Sequence, residues 1–512
     1  MTASPLGPST ALRVRVFLTA WILFGLMFAT NFVREHYPAL TLVEDGSYQL
    51  DKYHELHSDI FEHAGHWYIN NNVGTSVIAT IPLLPFKPLL SSLEERSKAA
   101  LARSGGSVDT GFDTRHPNRE RFYRLSRQNG WELKFGAVAA ITALLMMAPL
   151  SALCVVLLLN FLAARGVPLG RATVLAVLFG LGTPVLFRTA HLNHNMMVMY
   201  ASFGAFLALL PCQHLERSML PRLSSARAWS AGILGGLAVM CDYSGVIPLA
   251  WLFAWVAYAA LKRTDRERWL GPILFAAGAA VPILVQLHSQ YASFGSWLRP
   301  PQTWMTDANF TDRGYRGLDW PALDLFWDNL VEPRWGLFLY GPLLVLGLIP
   351  PRPSDKSAPL PFRAWCWVML ATLTFMLFAA ANQYGRMQWN TGVRYLMPVV
   401  PFLFLAASNH LARMRGAWLA ILGGAAVLHS WVVSMRRESV LGVFGDWERF
   451  LREGPRLPWL DVLGRTATGR GSVPAGATIH VAVIAGTLFV IVFLWRLGRR
   501  DGDAMPSTRP PG

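Results

Sequence analysis

An adjacent acid pair, Glu44-Asp45, opens a stretch at residues 43–88 in which Asp51, Glu55, Asp59 and Glu62 alternate with His54, His57, His63 and His66. An aromatic pair, Trp67-Tyr68, follows, and the composition then turns apolar in NNVGTSVIATIPLLPFKP. The stretch starts about ten residues after a first hydrophobic span at residues 14–33. A carboxylate close to an apolar interface is partly desolvated and gains basicity. Carboxylates just above a membrane, beside a segment that can dip into it, suit proton abstraction from the acceptor of a lipid-linked substrate. Asp45 is the first choice for such a base, with Glu44 second and Asp51 third. The competing structural reading is a solvated loop followed by an interfacial helix.

Such a transfer also needs groups to hold the departing phosphate. Arg188, His191, His194, Arg299, Arg334, Arg386 and Arg394 fall at the ends of apolar runs, and guanidinium groups grip phosphate oxygens in bidentate fashion. Each of them also fits an ordinary role as a headgroup contact or span anchor. The HLNH spacing of His191 and His194 carries little specificity for a metal. No metal ligand is assigned and no cofactor is expected, although a divalent metal is compatible with the chemistry.

Composition sets the class. The 512 residues are 53% hydrophobic and 15% charged, against about 45–50% and 25% in soluble domains, so this is a polytopic membrane protein. The net charge of +15 does not imply nucleic acid, because the basic residues lie in short loops between apolar runs and read as orientation signals. Cys154, Cys212, Cys241 and Cys366 fall in or beside apolar spans, which disfavours a disulfide framework. The first span is expected to remain as a helix rather than be cleaved as a signal peptide.

The expected fold is all-α with about 12 transmembrane helices. They lie near residues 14–33, 135–163, 171–188, 193–211, 228–243, 245–261, 270–290, 335–350, 364–382, 395–412, 416–434 and 478–497. The short basic loops RSMLPRLSSAR, KRTDRER, PRPSDKSAPLPFR and ARMRG, and the tail RLGRRDGD, then all face the cytoplasm with both termini. The segment at 73–90 carries Pro82, Pro85 and Pro88 and is expected to be re-entrant or interfacial within a long first outer loop, 34–132. The domain reading is a transmembrane catalytic unit at 1–434, an outer loop at 435–477, and a last helix with its tail at 478–512. No GxGxxG or P-loop pattern is present, which argues against ATP as the driver.

The order of elements resembles the GT-C class of membrane glycosyltransferases, including bacterial relatives of protein O-mannosyltransferases and of the aminoarabinose transferase that modifies lipid A. The segments that carry the resemblance are EDG at 44–46 and GHWYINNNVGTSVIATIP at 65–82. LGTPVLFRTAHLNHN, SFGSWLRPPQ, EPRWGLFLYGPLL and TGVRYLMPVVPFL lie further along the chain. The resemblance implies an acidic residue soon after the first helix, matched best by Asp45. It also implies a membrane-surface helix whose leading turn brings Tyr68, Asn71 and Asn72 to the substrate. Where the family carries KPP, this chain has Asn71-Asn72-Val73 and keeps only Gly74. Another basic group must then hold the carrier phosphate, or the donor differs, or activity is lost. The implied partners are a polyprenyl-phosphate-sugar donor, a glycan, lipid or protein acceptor, and membrane lipids. The implied site is the periplasmic face of the inner membrane. The alternatives are a non-catalytic scaffold of the same fold and a transporter or flippase for a lipid-linked substrate. A transporter usually shows two similar halves.

Overall fold

The computed structural model describes residues 7–103, 117–210, 224–265, 267–305, 312–355, 357–388, 392–435, 442–463 and 476–500. The protein is a mostly helical membrane protein. Among the described residues, seven helices are long and apolar enough to cross a membrane: Gly74–Arg103, Glu132–Ala164, Tyr243–Leu261, Leu270–Phe294, Phe362–Ala381, Gly416–Met435 and Thr478–Leu497. Shorter apolar helices at Leu169–Leu181, His194–Leu209 and Met397–Leu411 pack among them. Large apolar side chains on the outermost helices, such as Phe489 and Ile421, are left uncovered. Their solvent is lipid.

Several elements differ from the expectation. The first helix runs Thr10–Leu26 and stops short, and the chain reaches a second helix, His36–Glu44, within ten residues. The proline-rich segment is one continuous helical run, with Pro82 inside the first helix, Pro85 in a 3-10 turn and Pro88 at the second residue of the next helix. Proline is tolerated in the first turn of a helix, where its missing N–H would have no partner in any case. Near 335–350 there is no continuous helix, only Leu337–Tyr340 and a 3-10 stretch, Pro342–Leu348. Gly341 precedes a proline, which disfavours helical backbone at that residue, and it adopts φ −140°. A two-stranded antiparallel hairpin, β1 (Ile60–His63) and β2 (His66–Ile69), also forms. Its Ala64-Gly65 turn has φ of 53° and 83°, the mirror-image turn that suits strand twist.

One close helix crossing positions the elements around it. Ser225–Cys241 lies against Leu270–Phe294 through Gly232, Gly236 and Gly278. A Cβ at Gly236 would come within 2.2 Å of the Ala279 carbonyl oxygen, and one at Gly232 within 2.1 Å of that of Phe275. This small-xxx-small seam lets two backbones touch where lipid provides no hydrophobic drive for association. The Gly74 turn is docked on the end of the same helix: Asn72 Nδ2 donates to the Val239 carbonyl at 2.8 Å, and Val73 N donates to Gln286 Oε1 at 3.2 Å. The seam therefore fixes Asp242, Gln286 and the NNVG turn relative to one another. Gly236→Leu should overpack it and cost about 1–3 kcal/mol or more. Thermal unfolding in detergent should show a lower Tm for this variant, whereas Gly424→Leu, at a position with open space, should leave the Tm unchanged.

Candidate functional site

Glu35 caps the N-terminal end of the His36–Glu44 helix and is only 3% exposed. A carboxylate there meets the positive end of the helix dipole. Its Oε1 pairs with His194 Nδ1 at 2.5 Å and with Arg34 Nε at 3.3 Å. Arg34 in turn reaches Asp59 Oδ2 with Nη1 at 2.9 Å. Burial pushes the Glu35 carboxyl up, but His194, Arg34 and Arg394 together outweigh it and hold the group below the ordinary carboxylate range. Asp59 follows the same pattern, its burial outweighed by His57, Arg34 and Arg394. Both are therefore ionised at neutral pH.

His194 is the hub. It is the first residue of the His194–Leu209 helix, whose N-cap Asn193 accepts from the backbone N–H groups of Asn195 and Met196 at 2.9 and 3.2 Å. Asn195 Nδ2 and Arg34 Nη2 approach His194 Nε2 at 3.1 and 3.5 Å. With donors at Nε2 and a carboxylate at Nδ1, the neutral ring carries its proton on Nδ1. Asp242 Oδ2 lies 3.7 Å from Nε2, and its side chain is 30% exposed. Asp242 ends the Ser225–Cys241 helix, with Oδ1 accepting from Ser244 N at 2.9 Å. The ring is thus flanked by two carboxylates, Glu35 at Nδ1 and the partly exposed Asp242 near Nε2.

The residues singled out in the sequence divide between this centre and other places. Arg188 is buried, and its guanidinium donates to the carbonyls of Gly392 and Val393 and approaches His191 at 3.5 Å. It thereby anchors the segment carrying Arg394, which stacks over Tyr395 at 5.2 Å and whose charge acts on Glu35 and Asp59. Arg386 instead pairs with Asp324 at 2.6 and 3.0 Å on the exposed side of the Leu323–Val331 helix. Asp45 lies exposed at the C-terminal cap of His36–Glu44. The nine-residue helix separates it from Glu35, roughly 15 Å along the axis. Glu44 is bound to the buried Lys134, to Tyr53 Oη at 2.9 Å and to Lys52 at 3.3 Å, with Glu94 on the far side of Lys134 at 2.8 Å. Asp51 accepts from Trp67 N and pairs with His66, both at 2.8 Å, and so ties the hairpin to the turn before it. Tyr68, on β2, packs on Phe294 with ring centroids 5.1 Å apart. Asn72 is spent on Val239, while both amide atoms of the buried Asn71 lack a hydrogen-bond partner.

Sequence reasoning passed over Glu35, Asp59 and Asp242 as site residues. The available signal was a charged pair, Arg34-Glu35, directly after the apolar run at residues 14–33, where an ionisable residue is costly and functional by default. Among the described residues, no group of three or more His, Cys, Asp or Glu side chains is arranged to hold a metal ion. No protein-family model, curated protein or solved structure matches this chain.

His36, beside Glu35, is buried and neutral. Its Nδ1 accepts from Val33 N at 3.0 Å and its Nε2 donates to Thr142 Oγ1 at 2.9 Å. Burial, only partly opposed by Glu35, pushes it down to about 4. The unfolded chain takes up this proton near pH 6.5 and the folded one does so only near 4. Stability should thus fall as pH drops through that window, by up to about 3 kcal/mol. His36→Gln should flatten the slope of Tm against pH between those limits.

Proposed function

We propose that the chain is a membrane glycosyltransferase of GT-C type. It moves a sugar from a polyprenyl-phosphate donor to a glycan, lipid or protein acceptor on the outer, periplasmic face of the inner membrane. One observation carries the reading: Glu35, His194 and Asp242 are gathered together with Arg34 and Arg394 acting on them. An apolar crevice is lined by Ile247, Trp251, Trp255, Trp367, Pro398 and Phe402 among others. Along the chain Ile247 is five residues from Asp242 and Pro398 four from Arg394. A lipid tail fits the crevice, its phosphate lies at Arg394, and the sugar stands before Asp242.

In this reading Asp242 Oδ2 takes the proton of the acceptor hydroxyl. The acceptor oxygen bonds to the anomeric carbon as the bond from that carbon to the phosphate oxygen breaks. The electron pair leaves on the polyprenyl phosphate, held by Arg394 in place of the lysine that this chain lacks in its Asn71-Asn72-Val73 turn. His194, oriented by Glu35, receives or shares the proton behind Asp242 and offsets its charge. A direct displacement of this kind inverts the anomeric centre and needs one base.

The topology that accompanies it has twelve spans and both termini in the cytoplasm, with Gly74–Arg103 lying along the outer surface. Residues 337–348 count as one of the spans. Irregular backbone is tolerated at membrane depth where protein covers it, and Gly347 lies directly on the Leu403 carbonyl.

Two mutational contrasts test the assignment, read by mass spectrometry of envelope glycolipids and glycans from cells carrying each variant. Asp242→Asn should reduce product roughly 10²–10⁴-fold, the value of general-base assistance, with unchanged membrane levels. Asp45→Asn, the change the EDG resemblance points to, should leave near wild-type product. The reverse pattern returns the base to Asp45, and product unchanged in both rejects the enzyme reading.

Arg394→Lys keeps the charge but loses the bidentate grip, and product should fall strongly. Arg386→Lys, out at Asp324, should be tolerated. Equal tolerance at both positions would show that the carrier phosphate is held by another group.

A further inference from the structure

A second, partly open cavity lies beside the charged centre and differs from it in kind. Its lining includes Tyr68, Asn71, Gln286, Gln290, Ser293 and Phe294, and no charged or histidine side chain. It adjoins the acid–base cluster at two points. Pro38, also in the lining, is one turn along the helix that Glu35 caps, and Gln290 is bonded to the hydroxyl of Tyr243, the neighbour of Asp242.

Asn71 is the decisive residue. It is 4% exposed, and neither Oδ1 nor Nδ2 has a hydrogen-bond partner. A buried amide left in that state is costly, and in a settled fold it is normally satisfied. Its neighbour Asn72 has the same side chain and spends it on the Val239 carbonyl. The unmet donor and acceptor of Asn71 therefore belong to something that enters the cavity. Amides offer both donor and acceptor and carry no charge, which matches hydroxyl groups rather than phosphate or carboxylate. Tyr68 and Phe294, with ring centroids 5.1 Å apart, supply an apolar wall beside the amides. The hairpin and the end of Leu270–Phe294 hold that wall in place.

We propose that this cavity binds a neutral saccharide ring, its hydroxyls on Asn71, Gln286 and Gln290 and its apolar face on Tyr68 and Phe294. The glycosyltransferase reading decides only what becomes of the ring; its binding is independent of that reading.

The test is saturation-transfer NMR on the full chain in lipid nanodiscs, with glucose, mannose and galactose as neutral probes and glucuronate and glucose 1-phosphate as charged ones. At least one neutral hexose should give signal and the charged sugars none. Asn71→Leu is close in shape and removes no protein hydrogen bond, so the Tm should hold or rise. Binding of the neutral hexose should weaken roughly tenfold or more, as the loss of two hydrogen bonds implies. Ser293→Met, which plugs the cavity from the helix side, should abolish the signal without touching Asn71. Signal from the charged sugars alone, or none from any neutral hexose, overturns the proposal. So does hexose binding that survives both variants, or a Tm lowered by Asn71→Leu, since either would give the amide a structural or water-binding role. Loss of hexose binding in variants of a chain that transfers no sugar would keep this proposal and refute the transferase. In a working transfer assay, an Asn71→Leu effect confined to the KM of the lipid-linked donor places the donor's ring in the cavity. An effect confined to the KM of the acceptor places the acceptor's ring there.

Discussion

Glu35 is an ionised carboxylate almost without solvent, and the elements around it are arranged to keep it so. Taking such a group out of water costs several kcal/mol unless other groups replace the lost hydration. Here the adjacent Arg34, in the turn before the His36–Glu44 helix, and His194, from the start of a distant helix, pair with the carboxylate, while Ser76 of the proline-rich helix holds the Glu35 backbone carbonyl at 2.7 Å. Removing any of the partners leaves an unpaired buried charge, which is worse than never having had one. The pairing thus acts as a positional lock: His194 cannot move from Glu35 without exposing that cost. The same lock sets which ring nitrogen faces Asp242.

The lock would be useless if Asp242 were free to drift, and the glycine seam prevents that. With Gly232, Gly236 and Gly278 at the crossing, Ser225–Cys241 and Leu270–Phe294 approach to backbone contact, so the end of one helix is fixed against the side of the other. Asp242 leaves the first helix at that end, while Gln286 and Gln290 project from the second. The charged centre and the uncharged cavity are consequently two sides of one crossing. Neither can be moved without moving the other, and the NNVG turn is stitched to both.

Much of the helical layout was legible. Apolar runs near 135–163, 270–290, 364–382 and 416–434 are helices within a few residues, because twenty uninterrupted apolar residues leave the backbone little choice. The stretch near 335–350 reads as a helical span in the sequence, but Gly341-Pro342 interrupts it and the structure has only Leu337–Tyr340 and the 3-10 stretch Pro342–Leu348 there. The hairpin escaped because four-residue strands are too short to show an alternation, and its turn depends on Ala64 tolerating a positive φ. The site was half legible. Arg188, His191 and His194 stand out in the sequence as outer groups and do cluster near one another. Glu35 was hidden by its distance from the acid-rich loop: the first helix ends at Leu26, not near residue 33, and the chain turns inward so that Glu35 is buried. Net charge along the chain draws attention to Glu44, Asp45 and Asp51, yet Glu44 is committed to Lys134 and Asp51 to the hairpin. Local density of acids says where charge is, and burial with partners says where it can do work.

The separation of charge from neutral amides has a physical consequence of its own. In a low-dielectric setting a phosphate placed among Asn71, Gln286 and Gln290 would find donors but no counter-charge, and its desolvation would go largely unopposed. At Arg394 the same phosphate would meet a guanidinium, which here stacks over Tyr395. A hydroxylated ring has the opposite preference: the cluster of Glu35, Asp59 and Asp242 offers it acceptors already engaged by Arg34, His194 and Ser244, whereas the Asn71 amide is unengaged. In the proposed transferase, a donor carrying both a phosphate and a ring would be oriented by this separation, with the bond between them near Asp242. Asn71, standing where the resembled family has lysine, would then shift what that turn recognises from the charge of the carrier to the hydroxyls of the sugar.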